Sequence, residues 1–487
     1  MDPRLATFVA LALAGAAPAA AEPVEAGGGT LSRTETPACH TDLVYLNQLF
    51  GWQVRWPREW ASLAGSSDGE VRDAIARWRT APAALAADTA ALAATRPAGG
   101  RAPREVVERV LAQVRALEGS LGAGPPPLAA TVDPALRVEW TRLFNEQIAP
   151  SVVAYRRFLA EAYLPGAARS PGLLATPDGP QCFRALVRSF TTADLASEEV
   201  EAIGWRLLRA TEADMAKTNR LSVAELPAFL ETLRHRQDPA FTAEVLTRTS
   251  QAAIARAAAA MPRIFRGPVR KPILVKPLPK AMEESFPAGL YQPATGTAPA
   301  AYVINLSRPM DRQLMAEVIA FHEGLPGHHA SHALGYPFGT FNSGFLEGWG
   351  LYAEYVADEL GLYSGPRDRT GMMAKHLWAA SRLIVEPGLH VRGWSREQAV
   401  AFMRRHTALS EPEIALEVDR YIATPGQSLS YMIGYDRIRA ARDYAQAKLG
   451  RRFDVRDFHD VVLRGGSRPL AAMYADVVRW ADARARG

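Results

Sequence analysis

The chain has 487 residues, 48% of them hydrophobic and 22% charged, with 56 basic against 51 acidic side chains. That near-balance argues against a dedicated nucleic-acid binder, and the lack of an apolar run of about 18 residues beyond the N-terminus argues against a polytopic membrane protein. What remains is a globular chain long enough for one large domain or several average ones.

Residues 1–21, MDPRLATFVALALAGAAPAAA, run from basic Arg4 through an apolar stretch to small residues. This is the order of a secretory signal peptide, with cleavage expected after Ala21. The mature protein is then periplasmic or secreted, with no stable membrane span left. Residues 22–40 are rich in Gly and Thr and read as a flexible lead-in. Cys39 and Cys182 are the two cysteines of the chain. In an oxidising compartment they either pair or stay as two buried thiols, and their spacing leaves both open.

Residues 41–268 form an N-terminal helical region. Segments such as REVVERVLAQVRALEGSL and SEEVEAIGWRLLRATEADMAK carry apolar residues at three- and four-residue steps, broken by a Pro- and Gly-rich loop at 164–180. The texture changes at 269, where PILVKPLP, GLYQPA and AAYVINLS are short β-type runs between turn residues. Helical pattern returns near Pro309, with breaks at 335–342, 361–371, 387–394 and 424–426. The chain therefore reads as mainly α, with a small sheet inside the region 269–487 that also holds most of its reactive side chains.

Four of the ten histidines fall within eleven positions, in His322-Glu323-Gly-Leu-Pro-Gly-His328-His329-Ala-Ser-His332. Imidazoles beside a carboxylate suit zinc, with the carboxylate placed to take a proton from an attacking water. The run is like a His-Glu-x-x-His zinc helix lengthened by two residues. A regular helix would bring His329 toward the face of His322, whereas a bulge at Pro326 and Gly327 would bring His328 there; spacing alone leaves both open. Downstream, Glu347 and Glu354 are seven positions apart and share a helix face. Glu347 is the expected third ligand and Glu354 the carboxylate that orients a histidine.

HEGLPGHH, followed by FLEGWGLYAE, VEPGLH, TPGQSLSYMIG and FDVRDFHDVVLRGGSRPL, resembles the bacterial family known as domain of unknown function 885, grouped with gluzincin-type zinc metallopeptidases. The resemblance implies a mostly helical, cleft-containing metallopeptidase-like fold with its small sheet near the active site, similar to thermostable carboxypeptidases, thimet oligopeptidase and angiotensin-converting enzyme. It also implies His322, His328 and Glu347 on zinc, Glu323 as base, and a strand at 300–307 whose edge pairs with substrate backbone. An internal strand is the other reading of that segment. Where the family more often has Asp-Thr-Gly, this chain has Glu386-Pro387-Gly388 before Leu389 and His390. Tyr431 and His390 are the candidate donors to an oxyanion, with Tyr435 a weaker one. Gln427 shares a helix face with Tyr431, and His329 and Arg420 are further candidates for substrate contact, Arg420 for a substrate carboxylate.

The function expected is a zinc-dependent hydrolase cleaving short peptides. The alternatives are hydrolysis of another small amide or ester, or metal holding without turnover. Nothing in the pattern specifies an oligomeric state.

Overall fold

The computed structural model describes residues 46–486 except 50, 62, 64–65, 95–100, 177, 237, 279, 281–282, 284–287 and 295–298. The expected signal segment, the lead-in and Cys39 lie outside the described residues. Cys182 is disulfide-bonded.

Helices form where the three- and four-residue spacing is clearest. In the first compact unit, which ends at Gly179, these are α1 (Trp52–Ala61), α2 (Asp68–Trp78), α3 (Ala81–Ala94), α4 (Arg104–Gly122), α5 (Pro134–Leu143) and α6 (Ala149–Arg157). The apolar stripe of α4, from Val106 through Val110, Val114 and Leu117 to Leu121, is buried along its length. Ser67 and Glu70 close a capping box at the start of α2. Aromatic rings fill the core: Trp56 lies 5.2 Å from Trp78, and Trp60 lies 5.1 Å from Phe144. Two π-helical turns, Phe144–Ile148 and Phe158–Tyr163, flank α6.

The second unit, from Pro180 onward, begins with α7 (Gly179–Thr191), α8 (Ser197–Asn219), α9 (Leu226–His235) and α10 (Ala243–Ala260). A three-stranded sheet follows: β1 (Leu274–Pro277), β2 (Gly289–Gln292) and β3 (Ala301–Ile304). Then come α11 (Pro309–Arg312), α12 (Ala316–Glu323), α13 (His329–Leu334), α14 (Ser343–Glu359) and α15 (Pro366–His390). The chain ends in α16 (Arg396–His406), α17 (Glu411–Ala423), α18 (Ser430–Leu449), α19 (Val455–Leu463) and α20 (Leu470–Arg486). The protein is mainly α.

Three features differ from the sequence reading. The units divide at Gly179 and not where strand texture begins at 269, because α8 packs along α15 and α10 along α12; helical periodicity does not say which helices pair. Helix α15 runs through Pro387 to His390: the missing proline N–H forfeits a single rung, to Leu383, while the Pro387 carbonyl still accepts from the Val391 amide at 2.9 Å. Finally, β3 is the central strand, parallel to β1 and antiparallel to β2. The segment 300–307 therefore offers no edge to a substrate, and its unbroken apolar run is the mark of a strand buried on both faces.

Helices α14 and α18 make one of the most extensive contacts of the unit. They meet at glycines: a Cβ on Gly348 would lie 2.4 Å from the backbone of Gly434, and one on Gly434 would lie 1.9 Å from the Gly344 carbonyl oxygen. Only chains without side chains at these points can cross so closely.

Candidate metal centre

Helix α12 ends at Glu323, and the chain then turns through Gly324 to Gly327 before α13 begins. The Gly327 and His328 amides donate to the Phe321 and His322 carbonyls at 3.0 and 2.8 Å. A Cβ on Gly327 would sit 1.9 Å from the His322 carbonyl oxygen, so this fold-back needs glycine. The two additional residues of the motif are absorbed here, and His328, rather than His329, comes beside His322.

His322, His328 and Glu347 each offer a ligand atom within 4.8 Å of the others. The Nε2 atoms of His322 and His328 stand 3.2 and 3.5 Å from Glu347 Oε2. Donors held about 2.0–2.1 Å from a tetrahedral zinc are roughly 3.3 Å apart, so the spacing fits that ion. The hydrogen-bond network adds a second argument. His322 Nδ1 lies 2.6 Å from Glu354 Oε1, and its Nε2 is turned toward Glu347, the orientation in which a carboxylate on one ring nitrogen leaves the other for a metal ion.

Glu354 is fully buried. Burial pushes its carboxyl up, but the Lys375 charge and the His322 and His376 contacts outweigh this and hold it well below the usual range. Lys375 pairs with Glu354 directly, and its ammonium is 3.1 Å from His322 Nδ1. His376 Nε2 is 3.2 Å from Glu354 Oε2 without the alignment of a hydrogen bond. Burial also raises the Glu347 carboxyl, yet the hydrogen bonds and charges of His322 and His328 leave it strongly lowered. Gly350 admits the His322 ring: a Cβ there would come within 2.4 Å of it.

Glu323 sits beside this group, 4.0 Å from His328 Nε2. Burial raises its carboxyl to about 7, against the pull of the His328 charge, and the Tyr291 backbone amide donates to it. Tyr431 lies nearly parallel to the His322 ring at 6.1 Å, and the Arg382 guanidinium stands over the Tyr431 ring, 4.5 Å from its centroid. Burial and the nearby Glu347 charge raise its hydroxyl well above the usual range, so it remains a donor.

The remaining candidates fall elsewhere. His329 turns to the Tyr291 hydroxyl at 3.2 Å and the Lys271 carbonyl at 3.0 Å, and burial lowers it to about 4. Arg420 bonds Glu417 at 3.1 Å and Gln427 at 3.0 Å, so these two candidates hold each other. His390 is separated from the donor group. It is wholly buried, stacked on Phe183 and bonded to the Tyr421 carbonyl at 3.1 Å. It is fifteen residues along α15 from Lys375, about 22 Å of helix, so it is no donor to a substrate at this site. Glu386 accepts from Gly426 and Ser428 and so braces the loop leading to Tyr431. Sequence reasoning missed Lys375, His376 and Arg382. The available signal was a Lys-His pair in the otherwise apolar stretch GMMAKHLWAA.

Residues 24–477 match the family described as "Bacterial protein of unknown function (DUF885)". No curated protein matches the sequence. Among solved structures, "The crystal structure of the putative lipoprotein from Colwellia psychrerythraea" is similar, with a TM-score of 0.79 and 24% identity over 90% of this chain and 80% of that one. A second, "a putative lipoprotein of unknown function from Shewanella oneidensis", has a TM-score of 0.63 and 18% identity over 84% and 78%. At these identities the likeness is one of fold. No described helix is long and apolar enough to cross a membrane.

Proposed function

The chain belongs to the bacterial DUF885 family, and we propose that this member is a zinc-dependent hydrolase that cleaves short peptides outside the cytoplasm. The observation that carries this reading is the convergence of His322, His328 and Glu347 with Glu323 at their side. His322, His328 and Glu347 would hold the metal, which when bound supplies Lewis acidity at the scissile carbonyl. Glu323, raised toward neutrality by burial, is suited to accept a proton from the attacking water and return it to the leaving nitrogen. The Tyr431 hydroxyl is the donor for the developing oxyanion. Glu354 and Lys375 hold the His322 ring in place. The signal-like N-terminus and the lipoprotein names of the two structural neighbours support an extracytoplasmic setting.

Elemental analysis of the tag-free mature protein, beside His322→Ala, should find about one zinc per chain, lost in the variant. Glu323→Gln should keep the metal and lose on the order of 10²-fold or more in peptide hydrolysis. Absence of zinc uptake, or a Glu323→Gln rate equal to wild type, would count against the reading.

A further inference from the structure

Tyr431 stands in the first turn of α18, and the cation that meets its ring comes from another helix. Arg382 lies on α15 four positions after Trp378, so the two share a face. Its guanidinium is 4.5 Å from the centre of the Tyr431 ring and 4.3 Å from that of Trp378. Helix α17 holds it there: Nη2 donates to Glu417 Oε2 at 3.0 Å and Nε to the Tyr421 hydroxyl at 3.3 Å. Glu417 and Tyr421 are themselves one turn apart, and the Trp378 indole N–H donates to both, at 3.1 and 3.2 Å. Two helices thus fix one guanidinium over the phenol ring of a third.

Ion pairing alone does not account for this placement. Glu417 also accepts from Arg420 at 3.1 Å, so two guanidiniums share one carboxylate. Glu386, one turn beyond Arg382 on α15, is felt by both of them, but it bonds Gly426 and Ser428, and burial raises it to about 7. Arg382 is 4% exposed. A desolvated cation that shares its anion gains from the electron-rich faces of aromatic rings, and out of water that attraction is little screened. The contact also leads to the donor group. Burial and then Glu347 raise the Tyr431 hydroxyl, and the Arg420 and Arg382 charges oppose them, so the phenol lies between the fields of the carboxylates and the guanidiniums.

We propose that Arg382 is a positioning residue for the hydrolysis and acts through Tyr431, fixing the plane of its ring and offsetting the negative charge that its hydroxyl meets as the oxyanion forms. The proposal rests on the peptidase reading and adds the device that keeps the oxyanion donor in place. Charge held ready in a low-dielectric setting needs no rearrangement at the moment of reaction, which is what makes such a device effective.

Two double-mutant cycles on the full-length mature protein test it. The first reads stability by urea denaturation of the metal-free protein. Arg382→Met and Tyr431→Leu together should disturb the unfolding equilibrium at least about fivefold less than the product of the two single effects, the scale of a cation over an aromatic face. The second reads hydrolysis by the zinc-loaded protein of the fastest-cleaved member of a pool of tripeptides to pentapeptides. Arg382→Met should lower kcat about tenfold or more with KM changed less than about threefold, and on a Tyr431→Phe background it should cost less than about twofold further. Arg382→Lys keeps the charge but cannot hold Glu417 and Tyr421 at once, so it should lose less than Arg382→Met, and its loss should also vanish beside Tyr431→Phe. It carries both cycles if Arg382→Met does not fold.

Additive effects in the stability cycle overturn the proposal. So does a kcat loss that persists in full without the Tyr431 hydroxyl, which would mean general damage to the fold, or a change confined to KM, which would mean contact with substrate. Either result in an active wild type leaves the peptidase reading standing. A wild type that cleaves no member of the pool removes that reading, and the role of Arg382 in turnover with it, whatever the stability cycle shows.

Discussion

The two units bury different chemistry. Up to Gly179 the described core is apolar and aromatic, built around Trp52, Trp56, Trp60, Trp78 and Trp140, and its buried polar side chains are the amides of Asn47, Gln48 and Gln53. Every charged side chain that the described residues bury lies beyond Pro180, among them Arg312, Glu317, Glu354, Lys375, Arg382, Glu386 and Glu417. Removing ions from water costs several kcal/mol each before pairing recovers any of it. The cost of buried charge is thus confined to the unit that holds the candidate metal centre, and the other unit rests mainly on apolar burial.

Substitutions on each side can break that contrast. The largest effect should come from Glu354→Ala, which leaves Lys375 and His376 without their carboxylate. About 3–5 kcal/mol should be lost from the metal-free protein by urea denaturation, with zinc affinity down about 10–100-fold. In the first unit, Leu159→Ala, at a fully buried position, should cost about 2–5 kcal/mol and leave zinc content unchanged. Altered zinc content in Leu159→Ala would erase the distinction between the units.

The third effect sharpens the comparison through pH. Burial raises the Glu386 carboxyl to about 7 from 4.5, against the hydrogen bonds of Ser428 and Gly426. The folded protein therefore holds this proton more tightly than the unfolded chain. Its contribution is complete below about pH 4.5 and is lost as the pH rises through about 7. Between those limits wild type should lose up to about 3 kcal/mol that Glu386→Gln does not, read from denaturation curves at pH 4.5 and 8. Parallel pH profiles would remove the buried proton from the account. The smallest change should follow Gly348→Ala, which forces α14 from α18. A loss of about 1–3 kcal/mol is expected, with zinc retained and turnover reduced.

The legible parts of the fold were those written in local spacing. The helices, the small sheet and the shared face of Glu347 and Glu354 follow from period alone, and the mainly α architecture follows from their number. For His328 against His329 spacing left two answers, and the geometry turns on backbone bonds from Gly327 and His328 to residues 321 and 322. What was not legible depends on contacts between distant segments. Lys375 and His376 come to Glu354 only because α15 packs beside α12 and α14. The placement of β3 between its neighbours is a matter of strand order, on which an apolar run is silent. His390 misled because it was carried over from the family resemblance, whereas α15 continues through Pro387 and Gly388 and buries it against Phe183.

The glycine crossing of α14 and α18 has a bearing on descent. Glu347 adjoins Gly348, and Tyr431 stands three positions before Gly434. The span between the proposed metal donor and the hydroxyl proposed to act with it is therefore set by main chain resting on main chain. Side chains elsewhere are free to drift without altering that ruler. Descendants that keep the two glycines could exchange side chains around the donor group while inheriting the same spacing between Glu347 and Tyr431.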